Sequence, residues 1–185
     1  MSLNVRTWSL AALVGLAGAL GLASCSSGSP TGSSNATTTT STAGSASATI
    51  GTIPAADRSP AGTAGTAPTV TVPSGSPPTQ LESADLIKGT GATAADGDTV
   101  TVQYVLATYS ADKVIQSSWT SQPFTFVLGE AQVIPGWDQG VVGMQVGGRR
   151  ELIIPPSLGY KNVAAGPGIA ANDTLVFVID LLHVS

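Results

Sequence analysis

The residues best placed to do chemistry in this chain are aromatic. Phe124, Trp137 and Tyr160 are spread through one stretch, PFTFVLGEAQVIPGWDQGVVGMQVGGRRELIIPPSLGY, which runs from Pro123 to Tyr160. Each ring leaves a different predicted element, and no acid/base pair, nucleophile or metal cluster lies among them. The single histidine, His183, has no cysteine or second histidine beside it, so no metal site is expected. With no acid/base pair or metal beside them, these rings do not suggest a site for bond cleavage. They can enclose an apolar group away from water, which is the chemistry of a dry, aromatic-lined pocket.

The elements that must position these rings follow from local pattern. Phe124, Phe126 and Leu128 alternate with Thr125 and Val127, as on a strand with one buried face, and Gly129 ends it. Val133-Ile134-Pro135-Gly136-Trp137 places a proline at the first turn of a helix, predicted over Pro135 to about Met144. Gly147-Gly148 makes a turn before a strand at Glu151–Ile154, and Pro155-Pro156 leads to the loop bearing Leu158-Gly159-Tyr160. Upstream, Asp96-Gly97 supplies a turn, and from Asp98 to Leu106 the residues Val100, Val102, Tyr104 and Leu106 share one face. Asp112-Lys113 lies in another turn, and Val114-Ile115 opens the next strand. Thr174–Val184 is apolar on both faces for most of its length, as a central strand covered by a helix would be. Many strands and one helix make the fold class α+β.

From about Leu81 to Ser185 the chain resembles the FKBP-type peptidyl-prolyl cis–trans isomerases. The resemblance rests on Gly89-Thr90-Gly91, the strand bearing Tyr104, the turn Gln116-Ser117-Ser118-Trp119, Pro123-Phe124-Thr125-Phe126, Val133 to Trp137, Leu158-Gly159-Tyr160 and Thr174-Leu175-Val176-Phe177, all in the family's order. It implies a strongly curved antiparallel sheet wrapped over one short helix, with the pocket between them. It also implies rotation of Xaa–Pro bonds in exported proteins without covalent, metal or cofactor chemistry. By the same resemblance Trp137 is the pocket floor, and Tyr104, Phe124 and Phe177 are its walls. The N–H of Ile134 and the hydroxyl of Tyr160 meet substrate carbonyls, and Val133 and Ile169 add apolar contacts. The implied partners are proline-containing polypeptides and macrolide ligands, and the domain is expected to be monomeric.

Two departures bear on turnover. The family's usual Phe-Asp before Ser-Ser is replaced by Ile115-Gln116. Ile115 keeps apolar volume without a ring, and Gln116 gives up a carboxylate for a neutral amide that can still donate and accept. The alternative reading is therefore a catalytically weak FKBP-like binding or chaperone module on the cell envelope. Lys161 to Asp173, over the pocket, also departs from the family pattern.

The remaining sequence concerns placement. Arg6 followed by an apolar run from about Leu10 to Leu22 describes a signal peptide, and Leu22-Ala23-Ser24-Cys25 resembles a bacterial lipobox. The expectation is a lipoprotein signal over residues 1–24, diacylation of Cys25, and an extracytoplasmic domain held by acyl chains in the bacterial cell membrane. Cys25 is the only cysteine, so no intramolecular disulfide is possible. Residues 26–80 are almost entirely Ser, Thr, Gly, Ala and Pro, with Asp57 and Arg58 the only charges. Such a segment has little large apolar surface to offset the entropy of ordering, and is expected to be a disordered linker; Thr37 to Thr40 are candidate sites for O-linked sugar. The isomerase domain is placed at 81–185. It holds five Lys and Arg against ten Asp and Glu, so a nucleic-acid backbone has no basic face to meet. Arg149-Arg150 reads as a solvated turn.

Overall fold

The computed structural model describes residues 49–185. The signal segment, Cys25 and Thr37 to Thr40 lie outside the described residues. Seven strands form one sheet: β1 (Gly51–Thr52), β2 (Glu82–Ile87), β3 (Thr99–Thr108), β4 (Lys113–Ser117), β5 (Phe124–Val127), β6 (Arg149–Ile154) and β7 (Leu175–Val184). The order is β1-β2-β6-β7-β3-β4, with β5 also on β3. β3 is long enough to take β5 against Thr99–Val102 and β4 against Val105–Thr108 on the same edge. Register shifts in β2 and twice along β3 break the ladder, and such bulges bend a strand and increase its twist. The pairings are antiparallel except for β1 with β2, which is parallel. β2 carries no alternation strong enough to announce it, and its place as a strand comes from pairing with β6.

One helix, α1 (Pro135–Val141), crosses the inner face. It stops three residues short of the Met144 expected from sequence, because Gly143 turns left-handed at φ +79° and its N–H bonds back to the Ala94 carbonyl at 2.8 Å. The glycines that make α1 a poor helix by propensity are what seat it on β6. A Cβ on Gly136 would stand 2.4 Å from Ile154 Cγ2, and one on Gly140 would stand 2.5 Å from Leu152 Cδ1. Gly140→Ala should therefore lift the helix and cost about 1–3 kcal/mol through overpacking, read as a lowered denaturation midpoint. An unchanged midpoint would show that the helix is not seated by this contact.

Alternation divides the strands between two apolar clusters. Val100, Val102 and Leu106 of β3, Leu152 and Ile154 of β6, and Leu175, Phe177, Ile179 and Leu181 of β7 face α1. Ala84, Ala107, Ile153 and Val176 face the other way, and that outer face is not left to solvent. Ile53 is fully buried against it, with Val70 and Val72 packed beside it.

This corrects the expected linker. Residues 50–73 form a strap across the outer face, so the folded unit begins well before residue 81. Ser59 donates its hydroxyl to Glu151 Oε1 at 2.5 Å and its N–H to Oε2 at 2.9 Å. Arg149 is 1% exposed and pairs with Asp180, its direct cross-strand neighbour. Its remaining N–H groups donate to the Ala61 and Thr66 carbonyls at 2.8 and 2.6 Å. Arg149 is thus a buried clasp, not part of a solvated turn. Arg150 points the other way and bonds Asp85 and the Gly140 and Val142 carbonyls at the end of α1. The strap is poor in large apolar residues, but a sheet face already built for other reasons supplies most of the buried surface, and a charged pair satisfies its carbonyls.

Candidate functional site: an aromatic pocket between sheet and helix

Trp137 leaves the first turn of α1 and lies under a half-open cavity of about 540 Å³. Its indole is 4% exposed. Four rings meet it: Phe177 of β7 at 5.1 Å and 85°, Tyr104 of β3 at 5.3 Å and 82°, Phe126 of β5 at 5.6 Å, and Phe124 of β5 at 6.1 Å and 76°. The edge-to-face geometries match the positive rim of one ring to the negative face of another, each worth about 0.5–1.5 kcal/mol beyond area burial. All three phenylalanines of the chain are in this cluster. The indole Nε1 is buried with no hydrogen-bond acceptor among the described residues, so packing, not a side-chain hydrogen bond, holds the indole.

Burial grades outward. Phe177 is closed off, whereas Phe124 and Tyr160 are 40% and 38% exposed at the mouth. Val133 and Ile134 form the side wall ahead of Pro135. The Ile134 carbonyl accepts from the Trp137 N–H at 2.9 Å, and its own N–H has no acceptor among the described residues. A carbonyl of a bound peptide could use it. Tyr160 follows the short 3-10 turn Pro156–Leu158. Burial, and then the neighbouring Tyr160, hold the Tyr104 hydroxyl above its ordinary range, so Tyr104 presents a neutral hydroxyl at physiological pH.

Of the ten pocket positions expected from sequence, the cavity wall contains Tyr104, Gln116, Phe124, Val133, Ile134, Trp137, Tyr160 and Phe177. Ile115 and Ile169 are not among its lining residues. Ile115 packs under the loop at Gly168, where a Cβ would lie 2.6 Å from its Cδ1, and Ile169 is part of the inner core. They support the loop. Gln132, Pro135, Gly159 and Lys161 also line the cavity without having been named as site residues; each adjoins a predicted site residue, and Lys161 also opens the segment expected over the pocket. Ser118 supports Tyr104 from behind: its hydroxyl accepts from the Tyr104 N–H at 2.8 Å and donates to Gln103 Oε1.

A curved sheet closed by one glycine-seated helix frames a cavity lined by four aromatic residues, Tyr104, Phe124, Trp137 and Phe177, with amide, hydroxyl and ammonium side chains among the other lining residues. A model of the FKBP-type peptidyl-prolyl cis-trans isomerase domain matches residues 91–182. A Streptomyces anulatus FK506-binding protein is 50% identical over 119 residues, spanning 63% of this chain and 96% of that protein. FK506-binding protein 2 of Dictyostelium discoideum is 45% identical over 89 residues, 48% of this chain and 67% of that protein. Among solved structures, FkpA from Escherichia coli is similar at TM-score 0.51 and 39% identity, covering 58% of this chain and 49% of that one. AtFKBP13 is similar at TM-score 0.52 and 31% identity, covering 59% and 96%. The chain belongs to the FKBP-type peptidyl-prolyl cis–trans isomerase family, and its activity is that of a peptidyl-prolyl isomerase.

Proposed function

We propose that this isomerase turns the Xaa–Pro bonds of exported polypeptides in the Trp137 pocket by excluding water from the rotating amide. Amide resonance sets a barrier of about 18–20 kcal/mol and places partial negative charge on the carbonyl oxygen, which water stabilises. The twisted transition state is less polar, so a site that replaces water with aromatic surface favours it over the planar ground state. The observation that carries this reading is the cluster of four rings around an indole 4% exposed beneath the cavity. The proline ring rests on Trp137 between Tyr104, Phe124 and Phe177, while Ile134 N–H and Tyr160 Oη hold flanking carbonyls. Macrolides of the FK506 class, for which the relatives are named, are proposed to compete for the same floor. The Cys25 lipid anchor and an extracytoplasmic place on the bacterial membrane remain part of the proposal, supported by the lipobox resemblance.

Exchange of an Xaa-Leu-Pro-Phe peptide, followed by NMR with the purified protein, tests the reading. Acceleration over the uncatalysed rate that a macrolide suppresses is the expected result; no acceleration overturns it. The binding-module alternative draws on one observation: Gln116 lines the cavity and puts a neutral amide where the family resemblance expects a carboxylate. On that basis Gln116→Asp should raise turnover about threefold or more, a gain of roughly 0.7 kcal/mol in transition-state stabilisation. Equal or lower turnover would show that the amide is sufficient.

A further inference from the structure

We propose that Lys161 makes this isomerase selective for proline sites carrying an aspartate or glutamate next to the proline. The inference rests on the isomerase reading of the pocket and adds the substrate class. Lys161 is the sole charged side chain lining the cavity, in a protein whose formal net charge is −4. It makes no ion pair among the described residues. Its backbone is fixed at both ends: the N–H donates to the Pro156 carbonyl at 2.9 Å, and the carbonyl accepts from Asn172 N–H at 2.7 Å. Its φ is +55°, in the left-handed region that side chains other than those of Gly, Asn and Asp seldom occupy. The side chain therefore leaves a backbone held by these two hydrogen bonds, directly after Tyr160.

The other polar groups at the mouth have the same bias. Gln132 spends its Oε1 accepting the Val127 N–H at 3.2 Å, which leaves its amide N–H groups for the cavity. Gln116 is neutral, Ile134 offers an N–H and Tyr160 a hydroxyl. No carboxylate lines the wall. A substrate carboxylate thus meets a cation and amide donors with no opposing charge, whereas a substrate lysine meets the same cation with no carboxylate on the wall to offset it.

The test compares Xaa-Pro peptides with glutamate, leucine or lysine before the proline, and a second set varied after it, by exchange NMR with the purified protein. In at least one set, glutamate should exceed leucine by about fivefold in kcat/KM at low salt, the size of an exposed ion pair, with lysine below leucine. The glutamate-to-leucine ratio should fall towards one in high salt as the screening length shortens. It should be near one in Lys161→Gln and below one in Lys161→Glu. Taking the ratio within each variant cancels any change in overall turnover, and turnover of the leucine peptide by the natural chain reports separately on the isomerase reading. The same ratio in all three chains, or a ratio near one in the natural chain with both sets, overturns the proposal.

Discussion

Trp137→Leu should reduce kcat/KM for an Xaa-Pro peptide by at least about a hundredfold, or roughly 2.7 kcal/mol of transition-state stabilisation. Leucine keeps an apolar side chain in the core but removes the flat surface on which the proline ring is proposed to lie. It also removes the partner that Phe177, Tyr104 and Phe124 meet edge-on. The substitution costs stability too, about 2–4 kcal/mol by analogy with other large-to-small core changes. Turnover must therefore be measured well below the variant's unfolding temperature, with circular dichroism confirming the fold. A folded variant retaining activity within threefold of the natural chain would remove Trp137 from the floor of the site.

The second large effect concerns the strap. A chain beginning at residue 81 should be less stable than one beginning at residue 49 by on the order of 3 kcal/mol, for loss of Ile53 burial and the flanking valine contacts. For a domain of this size that is a fall in melting temperature of roughly 15 °C. Ser59→Ala in the longer chain isolates the polar clasp and should lose about 1 kcal/mol. Equal melting temperatures for the two chains would mean that the strap is not part of the folded unit. The clasp also carries a pH signature. Burial pushes the Glu151 carboxyl above the usual carboxylate range, more than the Ser59 hydrogen bonds and the Arg58 charge pull it down. The folded state therefore holds this proton more tightly than the unfolded chain. This contribution favours folding as pH falls from neutral towards the ordinary carboxylate pKa, and opposes it as pH rises. Glu151→Gln should remove that slope, seen by comparing denaturation midpoints at pH 7 and pH 5.

What could be read from sequence was what is local. Alternation from Asp98 to Leu106 placed Tyr104 and Leu106 on one face of a strand, and that face packs into the inner core. Proline at the helix start, glycine breaks and the ordered aromatic motifs located most of the pocket wall. These signals depend on a residue and its near neighbours, and strand period and turn chemistry act at that range. Composition was the wrong guide for residues 50–73. It measures what a segment can bury on its own, and this segment borrows a face from β6 and β7.

Only the tertiary structure decided the rest. Arg149 and Asp180 are separated by a helical turn and a loop in sequence, and no local pattern pairs them; β6–β7 register does. The same register turns Arg149 and Glu151 towards the strap and Leu152 towards the helix. Ile115 looked like a pocket residue by motif, yet it packs against Gly168 and is not among the residues lining the cavity. Lys161 had no motif at all, and became a pocket residue when the Pro156 and Asn172 hydrogen bonds fixed its backbone beside Tyr160. By itself the sequence determined the family and the order of the elements from β3 to β7. Folding decided which charges meet, since ion pairs and cavity walls join residues far apart along the chain, where local propensity carries no information.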